Sequence, residues 1–216
     1  MAQAPILSPT IPIPCPDNNL TYKPPVMYPW VREADVIWCK RVWRTLDMRE
    51  KINQPLYYPL EPSQCRMSLF DALKEGIRSG EIIAYGRPVI DDEFGFPLSI
   101  TEFNAIIVRM DTVTTPRLDG TGMESITVKN EVFSGQITRY WIKEDWFFDK
   151  QRSVMEVRII GICPLMEKMD ENGDFRSYQP LFWVYFPECR KVLATKPVLY
   201  HAGSIGAMPS MDAVFH

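Results

Sequence analysis

The chain has 216 residues, of which 46% are hydrophobic and 24% are charged, and its net charge at neutral pH is −3. A chain of this length buries an extensive core without metal or disulfide support, and its slight acidic excess argues against a nucleic-acid partner, because phosphate binding needs a basic surface. No apolar run reaches the ~20 residues of a membrane-spanning helix, and the first ten residues lack the pattern of a signal peptide.

Residues 1–30 hold eight of the nineteen prolines and almost no charge. Because proline lacks the backbone donor and fixes φ, this segment fits neither a helix nor a central strand. We expect an extended arm, partly of the polyproline type. Its apolar residues, among them Ile11, Ile13, Met27 and Trp30, are unusual in a solvated tail. The arm is therefore predicted to pack on another subunit or on another part of the fold, with a disordered tail as the alternative.

Residues 33–52 carry apolar side chains at spacings of three and four, which predicts an amphipathic helix. The repeating positions are Val36, Cys39, Val42, Trp43 and Leu46. Acidic residues lie near the start of this stretch and basic residues near its end, as the helix dipole favours. A proline at position 55 ends the predicted helix.

A second helix is predicted after Ser68, which is placed to cap its N-terminus, with Asp71 three residues later. Gly80 is the expected C-terminal cap, and a short strand follows it. Ser99 or Thr101 is expected to cap a third, shorter helix.

The second half of the chain is rich in β-branched and aromatic residues, so strand propensity dominates there. The predicted strands are ITVKN, GQITRYWIKEDWFFD, SVMEVRIIGICPLMEKM and PLFWVYFPECRKVLA. The preceding stretch TVTTPRLDGTGMES is predicted from its composition to be a loop, and Asn172-Gly173 signals a hairpin between the last two strands. The sequence therefore predicts an α+β fold in which N-terminal helices precede a mainly antiparallel β-sheet.

Two groups of acidic residues invite a chemical interpretation. Glu144, Asp145 and Asp149 offer carboxylates for acid/base catalysis, but flanking lysines favour a solvated charged face. Asp170 begins a DENGD stretch with oxygen ligands at alternate positions, yet position twelve of that loop is Leu181, where calcium binding needs a glutamate. We therefore expect no catalytic residue, no metal site and no cofactor.

The cysteines are scattered and lack the short spacing of a zinc site. They are Cys15, Cys39, Cys65, Cys163 and Cys189. Buried, unreactive thiols are the first interpretation, and a disulfide between Cys163 and Cys189 on neighbouring strands is the alternative. Because the number is odd, at least one thiol has no partner within the chain.

The chain has more aromatic and methionine surface than one modest core needs, and protein interfaces are enriched in tryptophan, tyrosine, methionine and arginine. The residues predicted to contact a partner are Trp30, Trp38, Trp43, Tyr57, Tyr58 and Trp141. For any single tryptophan, packing in the core is the alternative.

Long segments of this sequence resemble the GldN/PorN family, the periplasmic gliding-motility and type IX secretion proteins of Bacteroidetes. The segments that carry the resemblance are VIWCKRVWRTLDMREKINQPLYYP, SLFDALKEGIRSGEIIAYG, YWIKEDWFFDKQRSVMEVRIIGICPL and FWVYFPECR. They occur in the family's order from about residue 30 to residue 215, and residues 1–29 lie outside the match.

This resemblance implies a structural subunit without enzymatic activity or cofactor. It implies a periplasmic protein that self-associates in a ring with an outer-membrane lipoprotein of the GldK/PorK type. It also implies contact with the periplasmic part of a motor protein of the GldM/PorM type. The family's sequence continues beyond the end of this chain, which the resemblance predicts to be a truncation at His216.

On this basis we expect an extended arm over residues 1–30, an α+β core over residues 31–200 and a flexible C-terminal segment over residues 201–216. A glycan- or peptidoglycan-binding module that uses exposed tryptophans is the alternative function. A hydrolase that uses Glu144, Asp145 and Asp149 is a third possibility.

Overall fold

A computed structural model describes residues 24–63, 66–116, 123–170, 173–198 and 209–215, with the backbone course alone given for residues 109–116 and 123–128. Its strands are β1 (Val36–Asp47), β2 (Ala84–Tyr85), β3 (Val108–Pro116), β4 (Met123–Glu131), β5 (Ile137–Asp149), β6 (Val154–Met169), β7 (Phe175–Pro180) and β8 (Trp183–Tyr185). Its helices are α1 (Gln54–Tyr57), α2 (Leu69–Arg78), α3 (Ile100–Ile107), α4 (Phe186–Ala194) and α5 (Met211–Val214).

The main sheet has the strand order β1-β5-β6-β8-β2, and β7 also pairs with β6. Every pair in it is antiparallel, and β3 with β4 forms a separate antiparallel pair. The predicted α+β class with a mainly antiparallel sheet is confirmed. The long β5 and β6 lie at its centre, and β1 lies at its edge.

The helix predicted over residues 33–52 is wrong, because Val36–Asp47 forms strand β1. Its residues pair continuously with β5, from Trp38 opposite Phe148 to Asp47 opposite Arg139. Valine, isoleucine, tryptophan and threonine all favour strands, and the neighbouring β5 supplies the backbone partner. Tertiary pairing therefore overrides the helical spacing of the apolar residues.

The two other helix predictions are confirmed with their caps. The Ser68 hydroxyl accepts a hydrogen bond from the Asp71 amide at the start of α2. Gly80 follows the helix with a φ of 81°, a left-handed conformation that glycine adopts without steric cost. Ser99 caps α3 and exchanges hydrogen bonds with Glu102 in a capping box.

Two further predictions need correction. Much of the predicted loop TVTTPRLDGTGMES is strand, because its ends belong to β3 and β4, while residues 117–122 lie outside the described residues. The predicted last strand is only three residues long before the chain turns into α4. Pro187 lies in the first turn of α4, where its missing N–H leaves no hydrogen bond unmade.

The hairpin predicted near Asn172-Gly173 joins β6 to β7. Asp170 organises this turn, because its backbone carbonyl accepts from the Gly173 amide and its side chain accepts from the Asp174 amide. Gly173 has a φ of 85°, while Asn172 itself lies outside the described residues.

The hydrophobic core lies between the sheet and helices α2, α3 and α4. Tyr140 and Ile142 of β5 and Ile162 of β6 face it and are 2% exposed or less. Phe103 of α3 meets Phe182 edge to face at a ring distance of 5.2 Å. Such fully buried side chains stabilise the fold by roughly 1.5–3 kcal/mol each.

The described end of the Pro-rich arm packs against the body of the protein. Arg158 on β6 donates to the Pro29 carbonyl at 2.6 Å, and Arg190 on α4 donates to the Val26 carbonyl at 2.6 Å. The Tyr28 ring lies against both guanidinium groups, and burial raises the pKa of its phenol. Within residues 24–30 these contacts come from Tyr28 and two backbone carbonyls, whereas Val26, Met27 and Trp30 are more than 80% exposed. That the arm as a whole packs on the fold or on another subunit stays a prediction, because residues 1–23 lie outside the described residues.

Residues 209–215 are the described part of the C-terminal segment. Asp212 on α5 accepts two hydrogen bonds from Arg190, at 2.8 and 3.1 Å. The Phe215 ring meets Phe186 edge to face. This pairing joins α5 to α4 beside the point where the arm packs.

Candidate docking surface

Strand β1 exposes most of its length to solvent although it belongs to the main sheet. Trp38 is 44% exposed, Trp43 is 54% exposed and Ile37 is 65% exposed. Only β5 pairs with β1 among the described strands, so no described strand occupies the opposite edge of β1. Because side chains alternate along a strand, Trp38 and Trp43 lie on opposite faces.

Two arginines of β1 bind carboxylates of β5. Arg41 donates two hydrogen bonds to Asp145, at 2.7 and 3.0 Å. Arg44 binds both carboxylate oxygens of Glu144, with a shortest distance of 2.5 Å. The Glu144 side chain is 1% exposed, and its second oxygen also accepts from the Trp146 indole at 2.8 Å. These bidentate pairs fix the edge strand to the centre of the sheet.

Residues 86–97 form a loop that covers the face of β5 next to Trp43. The loop closes over Lys143 of β5, whose side chain is fully buried. The Lys143 ammonium donates to the Asp92 carbonyl at 2.5 Å and to the Glu93 carboxylate at 2.9 Å. The hydrogen bond from Lys143 lowers the pKa of the Glu93 carboxyl below its ordinary value. Arg41 binds the same carboxylate, so the loop is joined to both strands.

An aromatic ring anchors this loop to the sheet. Phe94 meets Trp183 and Tyr185 edge to face and lies 5.4 Å from the Lys143 ammonium. Gly161 makes room for the ring, because a Cβ at that position would lie 2.8 Å from Phe94 Cζ. The missing side chain of Gly161 on β6 therefore leaves the space that the Phe94 ring of this loop occupies.

An aromatic cleft of about 290 Å³ lies where the loop meets β1. Its lining comprises Trp43, Pro88, Val89, Ile90, Asp92, Trp141 and Trp183. Trp43 is opposite Lys143 and Trp141 is opposite Thr45, so the two tryptophans are diagonal neighbours on one face. The Trp43 indole donates to Asp92 at 2.8 Å. The exposed Val89 and Ile90 complete an apolar rim.

The structure brings only two of the predicted contact residues, Trp43 and Trp141, into this cleft. Trp38 lies on the other face of β1, and Trp30, at the end of the arm, is 81% exposed. Tyr57 and Tyr58 form a separate pair with a ring distance of 5.0 Å. That the six residues contact a partner stays a prediction.

Tyr58 lines a second depression, of about 500 Å³, beside α1, and Tyr57 packs against Tyr58. The Tyr57 hydroxyl donates to the Gly135 carbonyl at 3.1 Å, so this ring is held in place. Tyr58 lines the depression together with Lys51 and Arg66. Two prolines, Pro55 and Pro59, also line it.

The carboxylates considered for catalysis are engaged in ion pairs. Glu144 and Asp145 bind the arginines of β1, and Asp149 binds Arg152 at 2.6 Å. The expected solvated face is wrong for Glu144 and Asp149, which are buried. Within the described residues, no group of histidine, cysteine and acidic side chains is placed to hold a metal ion.

The described cysteines are free thiols, so the alternative of a Cys163–Cys189 disulfide is not realised. Both of these thiols are buried, as expected, and burial raises the pKa of each well above the ordinary value. Cys39 differs, because it is exposed on β1. Cys15 and Cys65 lie outside the described residues.

Sequence reasoning missed Lys143, Asp92 and Glu93 as parts of this surface. The available signal was a lysine in the middle of an aromatic strand. Lysine is almost never fully buried unless it is paired, so its position there indicates a partner elsewhere in the chain. Its partners lie about fifty residues away in the chain. Local patterns carry no information about such a contact.

The family model of the gliding motility associated protein GldN matches residues 31–216, which is well over half of the chain. The chain belongs to the GldN family. The match begins at residue 31, shortly before strand β1, and the Pro-rich arm precedes it. GldN proteins are components of gliding motility.

No curated protein sequence matches the chain. Among the described residues, no helix combines the length and the apolar character that crossing a membrane requires.

Proposed function

We propose that this GldN-family chain is a structural subunit of the periplasmic ring of the type IX secretion and gliding machinery. It acts by protein–protein contact with an outer-membrane lipoprotein of the GldK/PorK type and with the periplasmic part of a motor protein of the GldM/PorM type. The family match over residues 31–216 carries this proposal, and the partners follow from the sequence resemblance.

The β1 surface is a suitable place for the lipoprotein to bind. Tryptophan and arginine dominate the energetics of protein interfaces, and β1 presents Trp38 with Arg44 on one face and Trp43 with Arg41 on the other. The arginines are already oriented by their carboxylates, so little side-chain entropy is lost when a partner covers them. The loop that carries Asp92 and Glu93 adds acidic groups at the rim of the same surface.

Co-purification of the full chain with the lipoprotein tests the proposal. We expect a stable high-mass complex, and Trp38→Ala with Trp43→Ala should weaken it by about 30-fold or more, which corresponds to ~2 kcal/mol for a hot spot. Phe175→Ala is the matched control, because Phe175 is 52% exposed but lies on β7. This control should bind as the wild type does.

Two outcomes would contradict the proposal in different ways. Failure of the wild-type chain to bind the lipoprotein, measured with a folded sample, would overturn the function. Equal weakening by Phe175→Ala and by the tryptophan variants would instead remove β1 from the binding surface.

The aromatic cleft favours a second candidate, a glycan-binding module. Stacking of a sugar ring needs an accessible aromatic face with polar groups beside it, and the cleft offers Trp43 and Trp141 next to Asp92. Titration calorimetry with muropeptides tests this function. Saturable heat that Trp141→Ala abolishes would favour glycan binding, whereas no heat with the wild-type chain would exclude these ligands.

A further inference from the structure

The depression beside α1 (the α1 depression) has a volume of about 500 Å³, against about 290 Å³ for the aromatic cleft. Pockets that enclose a ligand typically measure about 300–1,000 Å³. The two linings share no residue. The α1 depression is therefore a site of its own, separate from the docking surface at β1.

The apolar part of its lining consists of Tyr58, Pro55 and Pro59. Tyr58 is 52% exposed, and its ring meets the Tyr57 ring edge to face at 5.0 Å. The Tyr57 hydroxyl donates to the Gly135 carbonyl, so Tyr57 provides a fixed support for Tyr58. An incoming apolar side chain therefore meets a surface that is already in place, which lowers the entropic cost of binding.

Two cations, Lys51 and Arg66, belong to the same lining. Within the described residues, neither side chain makes an ion pair or a hydrogen bond. Arg41, Arg44 and Arg49, by contrast, each bind a carboxylate. The charges of Lys51 and Arg66 therefore remain available to a ligand.

The described lining contains no acidic side chain. Glu50 and Glu61 lie close by in the sequence, but both are exposed and neither lines the depression. The whole chain has a net charge of −3, so the positive lining is a local feature. A cleft lined by charges of one sign attracts a ligand of the opposite sign, and this one favours an anion.

Backbone contacts hold the polar part of the lining in place. The Ser63 amide donates to the Arg66 carbonyl at 2.8 Å, which ties these two lining residues together. The turn that carries Lys51 is closed by the Asn53 side chain, which donates to the Asp47 carbonyl at 2.8 Å. The two cations thus project from segments whose backbones are fixed.

The lining offers three kinds of contact, and together they define a ligand. Lysine and arginine donate charge-assisted hydrogen bonds to a carboxylate, and the Tyr58 ring packs against an apolar group. The Gln54 amide and the Ser63 hydroxyl, which also line the depression, pair with backbone amides. Inorganic phosphate would leave the apolar lining bare, and a neutral sugar would leave the cations unpaired. A peptide with an acidic side chain beside an apolar one satisfies all of these groups.

We propose that the α1 depression binds a peptide segment of a partner protein in which an aspartate or glutamate adjoins an apolar residue. The carboxylate pairs with Lys51 and Arg66, and the apolar side chain packs against Tyr58 and the two prolines. This inference goes beyond the proposed function, because it assigns a ligand class to a site away from β1. Its test does not involve the lipoprotein.

Selection from a phage-displayed library of short random peptides, with the full chain as the bait, tests the inference. Each displayed peptide is fused at its C-terminus, so that only side chains supply carboxylates. The selected peptides should carry an acidic residue next to a proline, a leucine or an aromatic residue. Selection of peptides without acidic residues would overturn the inference, as would the failure of any peptide to be enriched.

Calorimetric titration of the strongest selected peptide measures the contribution of its charge. A counterpart with glutamine or asparagine in place of the acidic residue should bind roughly tenfold more weakly or worse, because it loses the charge-assisted hydrogen bonds. Equal affinity of the two peptides would show that the cations are not part of the site.

Lys51→Gln with Arg66→Gln removes both cations from the lining and should weaken the same peptide by roughly tenfold or more. Lys168→Gln with Arg176→Gln is the matched control, because it removes the same charge from exposed residues of β6 and β7. The control should bind as the wild type does, and circular dichroism should show an intact fold in both variants. Equal weakening by the two double variants would reduce the effect to general electrostatic attraction and overturn the inference.

The apolar contact is tested at Tyr58. Tyr58→Ala removes the ring and should weaken the peptide by roughly tenfold, whereas Tyr58→Phe keeps the ring and should bind as the wild type does. If both variants bound like the wild type, the carboxylate would be held without the apolar lining and the proposed ligand class would be wrong.

Flotation with lipid vesicles distinguishes a peptide from an anionic lipid headgroup. Vesicles of phosphatidylglycerol present phosphate groups without a peptide, and vesicles of phosphatidylcholine are the neutral control. The wild-type chain should associate equally little with both. Association with phosphatidylglycerol that is lost in Lys51→Gln with Arg66→Gln would assign the depression to a lipid headgroup and overturn the inference.

Discussion

Strands β1 and β5 are paired along almost their whole length, yet they occupy opposite environments. Most residues of β5 are buried, whereas most residues of β1 are exposed. The two arginine–carboxylate pairs cross between them. The buried β5 therefore contributes to the core, whereas the aromatic side chains Trp38 and Trp43 on β1 remain largely exposed.

The largest expected effect compares one substitution in the two strands. Ile142→Ala in β5 removes a side chain that is 2% exposed, whereas Ile37→Ala in β1 removes one that is 65% exposed. The first should lower the free energy of unfolding by ~2–5 kcal/mol and the second by less than ~1 kcal/mol.

Denaturant unfolding of both variants measures this difference. Similar losses at the two positions would show that β1 belongs to the same core as β5, and the contrast between the strands would fail. An unchanged m-value is needed for the comparison, since it shows that the unfolded states are alike.

A smaller effect is expected at the ion pairs that join the strands. Glu144→Gln removes a charge from a buried carboxylate that binds Arg44 and the Trp146 indole, and we expect a loss of ~2 kcal/mol. Asp145→Asn changes the pair with Arg41, whose carboxylate is 24% exposed against 1% for Glu144, and a loss below ~1 kcal/mol is expected.

Thermal unfolding distinguishes the two changes, because each kcal/mol lowers the melting temperature of a protein of this size by roughly 2–4 °C. If Asp145→Asn proved the more harmful, burial would not be the factor that decides the strength of these pairs.

The smallest expected effect concerns the exposed carboxylate of the loop. The pKa of Glu93 is lowered by the hydrogen bond from Lys143, so its contribution to stability is fully present above the unfolded-state pKa of ~4.3. This contribution is lost as the pH falls through the lower folded-state pKa. At 67% exposure, it is at most ~1 kcal/mol.

Glu93→Gln tests this dependence through unfolding measured from pH 7 down to pH 3. The variant should be less stable than the wild type at neutral pH, and the difference should shrink as the pH approaches 3. A difference that stays constant over this range would show that Glu93 acts by shape and not by charge.

Local signals of the sequence predicted the elements that depend on local chemistry. Ser68 and Ser99 marked two helix starts because capping requires a side-chain acceptor beside the first turn. Gly173 marked a hairpin because its left-handed conformation favours glycine. The β-branched and aromatic runs predicted the central strands, and with them the α+β class.

The errors occurred where distant residues decide the outcome. Apolar spacing between Val36 and Leu46 suits a helix, but pairing with β5 makes this segment a strand. The start of α4 was hidden by the β-propensity of the residues before Pro187, although proline in a first turn and Glu188 after it favour a helix.

The docking surface was predictable only in part. An excess of tryptophan and arginine indicated an interface, and Trp43 is indeed exposed. The register that places Trp141 beside Trp43, and the loop that reaches Lys143, come from contacts between residues far apart in the chain. Composition alone does not reveal such contacts.

The missing side chain of Gly161 has a consequence for how this family member tolerates change. A Cβ at this position would lie 2.8 Å from Phe94 Cζ, so the Phe94 ring would have to shift against Trp183 and Tyr185, which it meets edge to face. The bare backbone of Gly161 thus provides the space in which this ring rests on the sheet.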